Sequence, residues 1–364
     1  MTKFFAREKG NGVRAKFETR KGCPHALKGC KNLYYLPQIT EELLMINHAK
    51  RRSKLTPAKI NKRIRIRERE IGILKDLFRF RYLTSDQILL LHFPKDSKGY
   101  CNDRLRILFH KPYHFVDRFP LPVEWGKGSP KLVYTLTKRG SDLLKTMGLF
   151  AYVSPQKAYK MKNRTSIYRK HEVAINSVRI ALDLGVKLHG WKIEEWITDI
   201  EFKDSKLISQ LKVFDIKDGV KIPVVPDGFF VVNFPNTNKK TLFFLEMDRG
   251  TMEIDRFRKR KIRGYALFAE KWRQVEMFRK YKELPVTFRV LTVVDGGVER
   301  VKNLKDATEQ EFSKDEDDKI FKGRRFYFTE LSKITPETVL TEDIWLVPYK
   351  STIPEMRYPL FLTK

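Results

Sequence analysis

Two apolar runs, residues 223–234 and 241–248, set the pattern from which the rest of the chain is read. They are Pro-Val-Val-Pro-Asp-Gly-Phe-Phe-Val-Val-Asn-Phe and Thr-Leu-Phe-Phe-Leu-Glu-Met-Asp, separated by the turn-rich stretch 235–240. That spacing predicts a β-hairpin, and because neither run alternates apolar with polar positions, both of its faces are covered. Charge enters only at the end away from the turn, as Asp227, Glu246 and Asp248. A symmetric loop places Asp227 opposite Asp248, with Glu246 on the same face because side chains alternate with period two. A slip of one residue in register would turn Asp227 to the other face.

Upstream, residues 67–149 switch to the periodicity of short amphipathic helices. Ile71, Ile73, Leu74, Leu77 and Phe78 form one apolar face; Leu83-Thr84-Ser85-Asp86 ends that helix and caps the next, which carries Ile88 to Leu91 and Phe93. A third helix over 99–110 turns Tyr100, Leu105, Ile107 and Leu108 inward and Asn102, Arg104, Arg106 and Lys111 outward. A strand over 131–136 and a helix from Thr137 follow. Three helices and a β-wing describe a winged helix-turn-helix over 66–150. Its third helix would enter the DNA major groove, with Arg104, Arg106, Lys111, Lys138 and Arg139 available to phosphates and base edges. The same architecture also serves protein contacts.

Downstream of a basic linker, 151–165, a helix over 166–183 carries Ile167, His171, Ala174, Val178 and Ala181 on one stripe. His171 is therefore expected as a core histidine with a backbone partner, and Glu172 beside it could reach a metal site. A strand over 190–197, a polar stretch, the hairpin, a helix over 251–272, a strand over 286–294 and a helix from about 295 complete the pattern. It describes a mixed α/β sheet covered on both faces, spanning 166–364. Ile254, Phe257, Lys261, Tyr265, Phe268 and Trp272 form the sheet-facing stripe of the helix after the hairpin. Lys261 interrupts that stripe, so it either snorkels to water or meets the strand-end acids. The acidic loop 315–318 lacks the ligand alternation of an EF-hand and reads as a solvated turn. Trp345 is expected to anchor the C-terminal segment.

Charge adds a partner to this picture. Lys and Arg number 74 against 44 acids, a net charge of +30, which selects a polyanion such as DNA. Residues 1–65 hold 17 Lys and Arg against 4 Glu and read as a basic arm that contacts nucleic acid or stays solvated. No apolar run approaches the roughly twenty residues that span a bilayer, and no signal-peptide pattern opens the chain, so a soluble cytoplasmic protein is expected. Three cysteines are too few for a disulfide framework. Cys23, His25 and Cys30 give only three zinc ligands, and reduced loop cysteines are the expected reading. No phosphate-binding Gly-rich loop and no His-x-His occur.

The candidate chemistry lies with the three acids. Carboxylates brought together repel unless a cation sits among them, and a hard divalent ion is one solution. Ion pairs with the abundant basic residues are the other.

Pro226-Asp227-Gly228 and Glu246-Met-Asp248 resemble the strand motifs of the PD-(D/E)XK nucleases. The order of winged helix, His-bearing helix, Pro-Asp-Gly, Glu-x-Asp-Arg-Gly-Thr and a helix with Lys and Tyr, over about 67–350, is similar to the replication-relaxation family of plasmids and conjugative elements, and to MobC-type relaxases. The resemblance implies that Asp227 and Glu246 hold Mg²⁺ or Mn²⁺, and that Asp248 is a third ligand or orients water. Asp248 stands where the nuclease pattern has Lys, so Lys261 would supply that charge from the following helix. Arg249 would hold the scissile phosphate or pair with the acids, and Tyr265 would pack or act as a nucleophile. The implied function is DNA nicking at an origin-like duplex site, in company with replication or mobilisation proteins. The alternative is a non-enzymatic replication or transcription regulator with an inactive nuclease-like domain.

Overall fold

The computed structural model describes residues 54–62, 64–123, 129–149, 163–204, 206–234, 239–284, 288–312, 325–348 and 356–361, all within one compact unit. The candidate zinc residues Cys23, His25 and Cys30, most of the basic arm and linker, and the acidic loop lie outside the described residues.

The helical run condenses into α1 (Glu68–Phe80), β1 (Leu83–Thr84), α2 (Ser85–His92), α3 (Lys98–Phe109), β2 (Val116–Pro120), β3 (Leu132–Leu136) and α4 (Lys138–Thr146). Thr84 caps α2 reciprocally: its hydroxyl accepts the Gln87 N–H, and the Gln87 amide oxygen accepts the Thr84 N–H. β3 is the centre of an antiparallel three-stranded sheet between β1 and β2. β2 was not expected, because Asp117, Arg118 and Pro120 mask its strand character. Leu74, Leu77, Ile88, Leu105, Leu108 and Leu136 meet in one core. Tyr100 corrects the inward set of α3. It is half exposed against Phe93, and Cys101 is buried in its stead, since 101, 105 and 108 make a truer helical stripe.

The remainder runs α5 (Ser166–Leu188), β4 (Lys192–Thr198), α6 (Asp199–Asp204), β5 (Lys212–Asp215), β6 (Val220–Pro223), β7 (Gly228–Phe234) and β8 (Lys239–Asp248). Next comes α7, which passes from Ile254–Phe257 through a π turn, Arg258–Ile262, to Arg263–Lys271. It is followed by β9 (Arg289–Val294), α8 (Val298–Phe312), β10 (Phe326–Glu330), β11 (Trp345–Leu346) and β12 (Arg357–Tyr358). Seven strands form one sheet in the order β12-β11-β10-β9-β8-β7-β4. The pairs β8/β9 and β9/β10 are parallel and the others antiparallel. The polar stretch before the hairpin holds α6 and a separate hairpin, β5–β6. α8 starts at Val298 because Gly297 takes a left-handed φ of 83°.

Alternate residues of β7 and β8 explain their doubly apolar pattern. Phe229, Val231, Leu242 and Phe244 pack with Tyr265, Phe268 and Trp272 of α7. Phe230, Val232, Phe243 and Leu245 pack with Ala174, Val178 and Leu182 of α5 on the other face, where Trp345 is also buried. Ile167 departs from its expected stripe and is exposed at the start of α5.

Register decides where the acids fall. Phe234 pairs with Lys239 and Gly228 with Leu245, so the next position places Asp227 across from Glu246, two residues from the expected partner Asp248. Lys239 and Lys240 belong to β8 rather than to the turn, which moves the pairing by two. A shift of two preserves the face.

α5 joins both halves of the unit. Asn176 Nδ2 donates to the carbonyls of Phe80 and Tyr82, each at 2.8 Å, and Gln87 Nε2 donates to the Val173 carbonyl at 3.0 Å. Ile180 of α5 belongs to the core of the helical half, while Ala174 and Val178 belong to that of the sheet.

Candidate active site

Asp227 sits where β7 has not yet begun, so the Met247 N–H of β8 has no ladder carbonyl opposite. The Asp227 side chain takes its place: Oδ2 accepts that N–H at 2.8 Å, while the Asp227 N–H donates to the Leu245 carbonyl at 3.0 Å. Because the sheet ends here, side chains from both faces can reach this carboxylate. His171 comes around from α5, its Nε2 3.2 Å from Asp227 Oδ1. Its partner is thus a carboxylate, not the expected backbone group.

Glu246, 4 % exposed, is met from α7 by two residues one turn apart. Lys261 Nζ lies 2.6 Å from Oε2, and Tyr265 donates its hydroxyl to Oε1 at 2.6 Å. Lys261 also donates to the Val225 carbonyl at 3.2 Å. Of the two fates open to this lysine, the structure realises the carboxylate partner. The π turn that contains Lys261 sets where this pair emerges from the helix.

The charges in the cluster depend on one another. Burial pushes the Glu246 carboxyl up to about 7; Lys261 pulls it down and the Asp227 charge pushes it further up. Burial also opposes ionisation of Asp227, but His171, Lys261 and the Met247 N–H outweigh it and hold that carboxyl below the usual range. Burial would lower His171 and Lys261, yet Asp227 raises the first above its ordinary value, and Glu246 with Asp227 raises the second. Burial and the Glu246 charge keep the Tyr265 hydroxyl protonated well beyond its usual range. The result is an ionised Asp227 beside a cationic Lys261, with Glu246 poised to exchange a proton near neutrality.

Asp248 is spent elsewhere. Arg300 of α8 grips it at both oxygens, Nε to Oδ1 at 3.0 Å and Nη2 to Oδ2 at 2.9 Å, and the Gly250 N–H donates to Oδ1 at 2.8 Å. Gly250 has a φ of 71°, a backbone state that suits glycine. The Glu-x-Asp-Arg-Gly-Thr stretch thus carries one acid for the cluster, one acid for the turn, and a glycine the turn requires. Arg249, on that turn, donates to the Ile167 carbonyl at 3.1 Å and lies 3.9 Å from Asp295.

His171, Asp227, Glu246, Lys261 and Arg249 line a cleft of about 440 Å³. Among the described residues, no group of three or more His, Cys, Asp or Glu side chains is arranged to hold a metal ion. Asp227 and Glu246 do offer hard oxygen donors, with cationic neighbours offsetting their charge. Two carboxylates suit Mg²⁺, which keeps several water ligands, but all four oxygens have partners here: His171 and the Met247 N–H on Asp227, Lys261 and Tyr265 on Glu246.

Glu172 is not in this cleft. It is buried on the other side of α5, 2.6 Å from Arg81, which also lies 3.3 Å from Asp199. Among the basic residues expected to face DNA, Arg104 is turned inward to Glu70 at 2.7 Å and is 12 % exposed. Arg106 pairs with Asp103 but stays half exposed, and Lys111, Lys138 and Arg139 are exposed. No sequence signal marked Arg81 or Arg300, each one of many arginines until the fold chooses its partner.

A model of the replication-relaxation family matches residues 74–280, more than half of the chain. The chain belongs to the replication-relaxation family. The match takes in most of the helical half and every residue of the cleft, and it ends before Arg300, so the turn's anchor falls outside the matched span. Neither curated proteins nor solved structures gave a match. Family membership ties the chain to plasmid replication or relaxation. Among the described residues, no helix is long and apolar enough to cross a membrane.

Proposed function

We propose that this member of the replication-relaxation family binds duplex DNA through a winged helix and breaks a phosphodiester bond in the Asp227–Glu246 cleft with the help of Mg²⁺ or Mn²⁺. The observation that carries the reading is the Lys261 ammonium on Glu246, beside Asp227. The lysine absent from strand position 248 is replaced, in charge and in reach, from the next helix. Three antiparallel strands, β4, β7 and β8, followed by helix α7 and the parallel strand β9, agree with the resemblance to the PD-(D/E)XK nucleases and support it.

On this reading Asp227 and Glu246 would hold the ion, which supplies Lewis acidity and a more acidic water. Lys261 stabilises negative charge developing on the phosphate oxygens. His171 holds Asp227 ionised and oriented, and Tyr265 fixes the rotamer of Glu246. Asp248 works through Arg300: the pair holds the turn that presents Arg249 to a phosphate of the bound strand. Arg106, Lys111, Lys138 and Arg139 supply contacts to the duplex, at an origin-like site and alongside other replication or mobilisation proteins.

A second reading, a replication or transcription regulator without catalysis, draws on the saturation of Glu246, whose two oxygens are both taken. Conversion of supercoiled plasmid to open circles with Mg²⁺ or Mn²⁺ separates the two. Nicking by the wild type and not by Asp227→Ala supports the first. DNA binding without nicking by either protein supports the second.

A further inference from the structure

The β5–β6 hairpin has no part in the chemistry above, and its two faces differ sharply. Val213, Asp215 and Ile222 are buried. Gly264 of α7 lets this face approach closely, since a Cβ there would stand 3.0 Å from Ile222. The outer face carries Lys212, Phe214 and Ile216, with Lys221 paired across from Phe214. Ile216, at the turn, is 86 % exposed and Phe214 is 56 % exposed.

A two-stranded hairpin is marginal in water, yet this one is fastened. The Arg263 guanidinium binds both Asp215 and Asp218, and Asp215 also accepts the Lys217 N–H at 3.0 Å. Lys271 donates to the Lys212 carbonyl at the base. An apolar tip held out to solvent adds little to the fold, and such surfaces mark contacts with other molecules. The surrounding charge selects the partner. Lys212, Lys217 and Lys221 on the hairpin are exposed cations in a chain of net charge +30. A polyanion whose interior accepts apolar side chains is a DNA duplex, where such residues enter between base steps from the minor groove.

Position links the tip to the cleft. Val220, paired with Asp215 next to Ile216, stands seven positions before Asp227, so the two are within about 25 Å, less than the roughly 34 Å of one DNA turn.

We propose that the β5–β6 hairpin is a DNA wedge: Ile216, next to Phe214, enters the base stack while the lysines hold phosphates, distorting the duplex within one turn of the cleft. The proposal rests on the DNA-cleaving reading only in that the distortion serves the Asp227–Glu246 cleft.

Ligase closure of a nicked plasmid in the presence of the full chain tests it, with Asp227→Ala as background so that no new nick forms. A wedge changes local twist, so the sealed circles shift in topoisomer distribution. Ile216→Ser should abolish the shift and weaken plasmid retardation by less than about tenfold, because phosphate contacts dominate non-specific affinity. Its thermal midpoint should match that of the background, since the side chain is exposed. A shift that persists in the Ile216→Ser, Phe214→Ser double variant overturns the wedge. So does binding of the background protein with no shift, an outcome that leaves the cleavage reading to the separate nicking comparison. Failure of the full chain to retard plasmid overturns the wedge and the DNA-binding reading together.

Discussion

Replacing Lys261 by Met tests the electrostatic account of the cleft at its centre. Met suits the apolar stripe of Phe257, Tyr265 and Phe268, so lost packing contributes little. What disappears is the cation 2.6 Å from a nearly inaccessible Glu246, with Asp227 close by. Breaking a buried pair by removing one partner costs about 3–5 kcal/mol, and the partial exposure of Lys261 reduces this to about 2–3 kcal/mol. The cost depends on pH. The folded Glu246 titrates near 7, above its unfolded value, so its contribution favours folding at low pH and is lost as the pH rises through the folded value. Without the ammonium that folded value climbs further, and the penalty widens with pH. Urea unfolding should therefore show a smaller loss for Lys261→Met at pH 6, where chiefly its charge beside Asp227 is missed, than the about 2–3 kcal/mol at pH 8.5. Millimolar Mg²⁺ should restore part of the difference at the higher pH by supplying the missing positive charge. An equal loss at both pH values, or a gain at both, would refute the reasoning, because a lysine that merely snorkels is replaceable by Met at any pH.

Three further outcomes follow from the same geometry. Mn²⁺ should raise the thermal midpoint of the wild type more at pH 8 than at pH 6, since the ion competes with the Glu246 proton; at a hundred times Kd the gain is about 2.7 kcal/mol, and an unchanged response in Asp227→Asn would count against the site. Arg300→Met leaves Asp248 buried without its partner and should cost about 3 kcal/mol in chemical denaturation, with nicking lost while duplex binding persists; a neutral variant would mean the turn holds itself. Arg104→Ala should lower stability through the abandoned Glu70, whereas Arg139→Ala should leave stability unchanged and weaken DNA binding in gel retardation, and the reverse pattern would return Arg104 to the DNA face.

The cleft was legible wherever a charge interrupted an apolar period. Asp227 and Glu246 stand out at the ends of runs with no other reason to carry acid, and Lys261 breaks a helical stripe in the same way. The misjudged hairpin turn did no harm to the site, because an error of two residues leaves every side chain on its own face. Asp248 shows the limit: the pattern put it opposite Asp227, while its partner in the fold, 52 residues away, was not in view. Glu172 and Arg104 failed likewise, since local pattern says which side chains are charged and not which opposite charge the tertiary fold brings near. Tyr100 was misread for a local reason: position 101, not 100, continues the stripe of Leu105 and Leu108. The β5–β6 hairpin was hidden because its outer face alternates lysine with exposed apolar residues, blurring the period that marks a strand.

Consecutive residues of α5 face opposite ways, Glu172 to Arg81 of the helical half and His171 to Asp227 of the cleft. Twenty-three residues of helix, about 35 Å of rigid rod, are thereby clamped to both halves at once. On the proposed reading, in which one stretch of DNA is recognised and another broken, such a rod would act as a ruler. The interval between recognised sequence and broken bond would be a fixed number of base pairs, set by this helix and indifferent to the length of the segment that precedes it.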